Sequence, residues 1–67
     1  MSRKNVGLRI AQCRRQRRLT PKDLAKRSGI PVHIISQLEG GCANKITVRI
    51  LWLLARAMRV RLGHFLD

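Results

Sequence analysis

The sequence predicts an all-α fold, a compact helical bundle, and three observations predict it. Apolar residues in the middle of the chain, Leu24, Ala25, Ile30, Ile35 and Leu38, recur at the spacing of a buried helix face. Start and stop signals bracket them: Thr20-Pro21-Lys22-Asp23 opens the stretch, Gly29 interrupts it and Gly40-Gly41 closes it. With 67 residues the chain is one domain, 1–67, near the small end of what folds without staples, so its core has to be tight and helix-packed. Residues 21–39 therefore read as two short helices joined by a turn, a helix-turn-helix whose outer face carries Val32, His33, Ser36 and Gln37.

Fifteen Lys and Arg against three acids give a formal charge of +12. The natural partner of such a field is polyanionic, with nucleic acid first and an anionic membrane or an acidic protein also compatible. Two cysteines, Cys13 and Cys42, are too few for a disulfide scaffold and lack C-x-x-C spacing, so both read as reduced thiols of a cytoplasmic protein. No signal peptide follows Met1, and the longest apolar run, Ile50 to Ala55, is far below the roughly 20 residues of a membrane span.

Helix one is expected over Asn5 to Arg18, with Val6, Ile10 and Cys13 at i, i+4 and i+7. Its other faces carry Arg9, Arg14, Arg15, Arg17 and Arg18 with no interspersed acid, a repulsive concentration that a polyanion relieves. Leu19 enters the core. Thr20 caps helix two, with Pro21 at N1 and Asp23 at N3 as a near capping box. The free amides of that helix end, with Thr20 and Lys22, suit a phosphate.

Gly29 supplies the left-handed turn, Ala25 lets the next helix cross closely, and Pro31 sets the entry to helix three, Val32 to Glu39. Thr47 caps helix four, which is expected to run to Met58 with Val48, Leu51, Leu54, Ala55 and Met58 as its core stripe. Ile50, Trp52, Leu53 and Ala57 extend its apolar surface round most of the circumference, and a short fifth helix adds Val60, Leu62, Phe65 and Leu66. So much apolar surface predicts a twofold homodimer through helices four and five.

The run from Val6 to Asp67 resembles the Cro/C1-type helix-turn-helix domain of phage repressors, Cro proteins and the xenobiotic-response-element class of bacterial regulators. The residues that carry the resemblance are Val6, Ile10, Arg14, Leu19-Thr20, Leu24-Ala25, Gly29-Ile30, Ile35-Ser36-Gln37-Leu38-Glu39, Gly41, Leu51, Leu54-Ala55 and Met58. It implies a lambda-repressor-like five-helix bundle, with helix three in the major groove and the start of helix two on the flanking backbone. It also implies that Arg14 pairs with Glu39, and Glu39 is the one acid between Asp23 and Asp67. Five positions depart: Pro21 replaces a phosphate-touching Gln, Pro31 a Ser or Thr cap, Val32 a polar base reader, and Arg18 and Arg59 stand where Gly is common.

The expected function is sequence-specific DNA binding by a dimeric transcriptional repressor on a palindromic operator, in a bacterial or phage cytoplasm beside the nucleoid. Gln37 has the donor and acceptor for adenine N6 and N7, His33 suits guanine, Val32 meets a thymine methyl, and Ser36 bonds phosphate or its own helix. Phosphate contacts are expected from Arg9, Arg15, Thr20, Lys22, Lys26, Asn44 and Lys45. The alternative is an antitoxin or interaction module whose basic face an acidic or DNA-mimicking protein binds. No enzyme is expected: Asp23, Glu39 and Asp67 are committed or isolated, there is no tyrosine, and no His stands beside a Ser or Cys. No cofactor is expected, and Cys13, Cys42, His33 and His64 lack the spacing of zinc ligands, although Cys42 in its loop reads as a redox-sensitive thiol.

Overall fold

Four α-helices and one 3₁₀ turn follow one another in the computed structural model, which describes residues 3–43 and 46–66. They are α1 (Arg3–Gln16), α2 (Pro21–Ser28), α3 (Val32–Glu39) and α4 (Val48–Ala57), with the 3₁₀ turn at Leu62–Phe65. No strand occurs among the described residues. The core is built from Val6, Ile10 and Cys13 of α1, Leu24 of α2, Ile35 and Leu38 of α3, Leu54 and Met58 of α4, and Phe65. α1 packs on α3 and the 3₁₀ turn, and α2 stands between α3 and α4.

The expected fifth helix is a single 3₁₀ turn. His64 N–H donates to Arg61 O at 2.9 Å and Leu66 N–H to Gly63 O at 3.1 Å, both i→i+3 bonds, and Gly63 in its middle disfavours continuation as an α-helix. This tight turn drives Phe65 into the core at 1% exposure, so Phe65 is not available to a second copy, contrary to expectation. Val48 also departs from its expected core position. It is the first residue of α4 and is 67% exposed, because the helix start extends past its neighbours while Leu51, one turn later, is buried.

Helix ends explain the next difference. α1 stops at Gln16, two residues early, because Arg18 adopts a left-handed φ of 55°. Arg18 N–H donates to Arg15 O and Leu19 N–H to Arg14 O, the paired bonds of a Schellman motif. α4 ends in the same way, with Arg59 at φ 57° and Val60 N–H donating to Ala55 O at 3.0 Å. A left-handed arginine costs about 1–2 kcal/mol relative to a right-handed one. Leu19 and Val60, each the next residue, offset that cost by packing on the core.

At Gly7, α1 comes close to the backbone of α3. A β-carbon on Gly7 would lie 2.9 Å from the Leu38 carbonyl carbon and nearer still to its oxygen. At an open helical site Gly→Ala stabilises by about 1 kcal/mol through propensity. At Gly7 the obstacle is backbone, so Gly7→Ala is expected to destabilise the protein by about 3 kcal/mol or more. Urea unfolding decides it by sign: a more stable Gly7→Ala variant would contradict the close crossing.

Candidate nucleic-acid interface

α2 begins with a complete capping box. Thr20 Oγ1 accepts from the Asp23 N–H at 3.1 Å, and Asp23 Oδ2 accepts from the Thr20 N–H at 2.9 Å. α2 ends at Gly29, whose φ of 77° is left-handed and whose N–H donates to Ala25 O. Ser28 Oγ then accepts the Ile30 N–H at 3.1 Å, turning the chain so that Ile30 is buried and Pro31 precedes α3. These local bonds fix the angle at which α3 leaves the turn.

α3 buries Ile35 and Leu38 and half-buries Ile34, leaving Val32, His33, Ser36 and Gln37 exposed. At about 100° per residue, those four side chains occupy one arc of about 140° around the helix. The helix is about 12 Å long, comparable with the width of the B-DNA major groove. The carboxylate that follows on α3 is turned away: Arg14 Nε donates to Glu39 Oε2 at 2.7 Å and Nη2 to Oε1 at 2.9 Å. Arg14 Nη1 donates to Leu19 O at 2.9 Å, so one guanidinium ties α1, the α1–α2 turn and the end of α3. The pair is largely shielded, at 12% and 14% side-chain exposure. The Arg14 pKa is raised, chiefly by the Glu39 hydrogen bond and against burial, so it stays charged.

The expected phosphate contacts do not all gather round this arc. Lys22 and Lys26 are exposed on α2, and Arg15 is exposed on α1. Thr20 is exposed but has both its N–H and its hydroxyl engaged in the capping box. Of the first amides of α2, Pro21 has none, that of Asp23 is capped and that of Leu24 reaches Thr20 O. Arg9 stands elsewhere. It lies about 200° round α1 from Gly7, the residue that meets α3, and its Nη1 is 3.5 Å from His64 O on the carboxy-terminal side. Asn44 and Lys45 lie outside the described residues.

The residues expected at a copy-copy surface also separate. Ile50, Leu53 and Ala57 share one stripe of α4, while Trp52 stands about 100–160° away from that stripe and is 48% exposed. Val60 and Leu62 are half-buried and Leu66 is exposed.

Sequence reasoning overlooked three residues that hold the site. Gly7 is one, and its signal was a glycine inside a run otherwise made of good helix formers. Arg17 is another, with Nε donating to Met58 O and joining the ends of α1 and α4. The third is Ser28, whose hydroxyl shapes the turn before α3. Burial pushes the Cys13 thiol pKa up, with Arg17 opposing, so Cys13 stays a protonated, apolar filler. Cys42 is exposed, its Sγ donating to Gly40 O. Among the described residues no three His, Cys, Asp or Glu side chains group to hold a metal, and no helix is long and apolar enough to cross a membrane.

The HTH_3 family model, described as helix-turn-helix, matches residues 10–65. No curated protein matches the chain. Among solved structures, an HTH_3 family transcriptional regulator from Vibrio cholerae superposes with a TM-score of 0.89 at 21% identity, covering 94% of this chain and 35% of that one. A chain of a SinR protein/SinI protein complex superposes with a TM-score of 0.87 at 22% identity, covering 92% of this chain and 60% of that one. This chain thus spans about a third and three-fifths of the length of these two neighbours, and at such identities they speak for the fold.

The capping box has a pH signature. The Thr20 backbone N–H, and then the Thr20 hydroxyl, hold the Asp23 carboxyl below the usual carboxylate range, so its contribution to stability is present above the unfolded-state pKa near 4 and is lost as pH falls through the depressed folded value. The expected outcome is that Asp23→Ala melts below the wild type by a constant margin above about pH 5, and that the margin closes on acidification below about pH 4. A margin independent of pH, in thermal melts from pH 2 to 7, would show that the carboxylate does not cap α2.

Proposed function

This chain belongs to the HTH_3 helix-turn-helix family, and from that premise we propose that it is a sequence-specific DNA-binding transcriptional regulator that reads the major groove with α3. The observation that carries the reading is the exposed arc of Val32, His33, Ser36 and Gln37 on a helix whose other side is pinned to α1. No described carboxylate faces a duplex from that arc, since Glu39 is held by Arg14. Gln37 is assigned to adenine, His33 to guanine, Val32 to a thymine methyl and Ser36 to phosphate. Lys22, Lys26 and Arg15 supply sequence-independent affinity, and Thr20 serves α2 as its cap.

The arc spans too few side chains to select one site in a genome, which supports a dimer on a palindromic operator, two α3 helices about 34 Å apart. The exposed Trp52 and Leu66, with Val60 and Leu62, are the residues proposed to pair the copies. Repression by occluding a promoter is the simplest action of such a dimer, and the place of action is a bacterial or phage cytoplasm.

Two variants separate base readout from charge. Gln37→Ala is expected to relax preference at one operator position, at a cost of about 1–3 kcal/mol for the preferred site alone. Lys22→Ala is expected to weaken all duplexes alike and to flatten the salt dependence of binding. Binding to a set of single-base operator variants at two salt concentrations checks both, and uniform loss from Gln37→Ala would refute direct readout by α3.

A further inference from the structure

A groove on the far side of α2 brings three arginines together with no carboxylate among them. Arg27 near the end of α2, with Arg56 and Arg59 at the end of α4, walls a cleft of about 420 Å³ completed by Ser28, Leu53 and Ala57. Leu53 and Ala57 are half-buried and one turn apart on α4, so they make an apolar floor. The described carboxylates are not part of the lining: Glu39 is paired with Arg14, and Asp23, one turn before Arg27, accepts from Thr20 while it also feels the charge of Arg27 and Lys26. Arg56 also lies over the Trp52 ring, 5.4 Å from its centroid, which limits the guanidinium to the rim of the groove.

Two copies paired groove to groove about a twofold axis do not suit it, because the same three arginines would meet themselves. A phosphate backbone would satisfy the arginines but leave Leu53 and Ala57 facing a polyanion. The groove also looks away from the α3 arc: Arg27 is about 140° round α2 from Lys22, and α2 stands between α3 and α4. The partner that matches both walls and floor carries carboxylates on either side of apolar side chains.

We propose that this groove docks an acidic amphipathic helix of a protein partner, its apolar side chains on Leu53 and Ala57 and its carboxylates against Arg27, Arg56 and Arg59. The docking site is separate from α3, so partner and duplex bind the same molecule at once. The probe for the test is a labelled synthetic helical peptide with Leu at i, i+3, i+4 and i+7 and Glu on both flanks, beside a counterpart with Gln in place of Glu. Fluorescence anisotropy with the full chain at physiological salt is expected to show the Glu peptide binding about tenfold or more tighter than the Gln peptide. The double variant Arg27→Gln/Arg56→Gln, with both side chains exposed and its fold checked by thermal melting, is expected to lose about tenfold. Lys22→Gln/Lys26→Gln removes the same charge outside the groove and is expected to bind as the wild type does. Absence of peptide binding, equal loss in the two double variants, or displacement of the peptide by duplex DNA would each overturn the proposal.

Discussion

The grip of α1 on the end of α3 is the constraint on which the rest of this structure depends. It has two components, a glycine that lets the backbones meet at Leu38 and a forked ion pair between Arg14 and Glu39. Against a well-packed apolar substitute such a pair is worth little, since desolvation offsets most of its Coulomb attraction. Its importance emerges when one member is lost, because the other is then left shielded and unpaired, at about 3–5 kcal/mol for a fully buried case. The fork also fixes geometry. Two parallel bonds to Glu39 and a third to Leu19 O leave α3 little freedom to rotate about its axis, and this sets the direction of Val32, His33, Ser36 and Gln37.

Local chemistry sets the other end of the same helix. Thr20, Asp23, Gly29 and Ser28 settle the start and end of α2 by short-range bonds, and Pro31 enters α3 with a φ of −56°. The exposed arc of α3 is thus held at its beginning by turn chemistry and at its end by long-range packing. Charge then acts on a fixed shape. Both described acids are consumed internally, by a cap and by a pair, so the field of the fifteen basic residues reaches solvent almost unopposed. Basic side chains distribute that field widely: Lys22 and Lys26 stand exposed on α2, Arg15 on α1, and Arg27, Arg56 and Arg59 round the groove.

Much of this was legible in the sequence, for identifiable reasons. The bounds of α2 and α3 follow from Thr20, which caps through its hydroxyl, and from Pro21, Gly29, Pro31 and Gly40, which act through their own backbones, and the structure places those helices at Pro21–Ser28 and Val32–Glu39. The early stop of α1 was less visible, since the usual glycine signal is absent and arginine occupies the left-handed position at 18 and again at 59. Depth was harder to read than periodicity. Phe65 and Val48 both carry apolar side chains, yet one fills the core and the other stands at an exposed helix start, a distinction set by the path of the chain. Arg9 and Gly7 show the same limit within one helix: two residues apart, they point to nearly opposite sides, and which side meets α3 depends on tertiary packing.

If the outer arc of α3 is the surface that meets DNA, binding has to leave its mark there. The most direct test is to map backbone amide chemical shifts while titrating the full chain with a duplex it selects from a random pool. The largest changes are expected from 32 to 37 and at Lys22, with Arg9 and the Arg27–Arg56–Arg59 groove unmoved. Largest changes in that groove or beside Arg9 and His64, or changes spread evenly over every cationic residue, would contradict it.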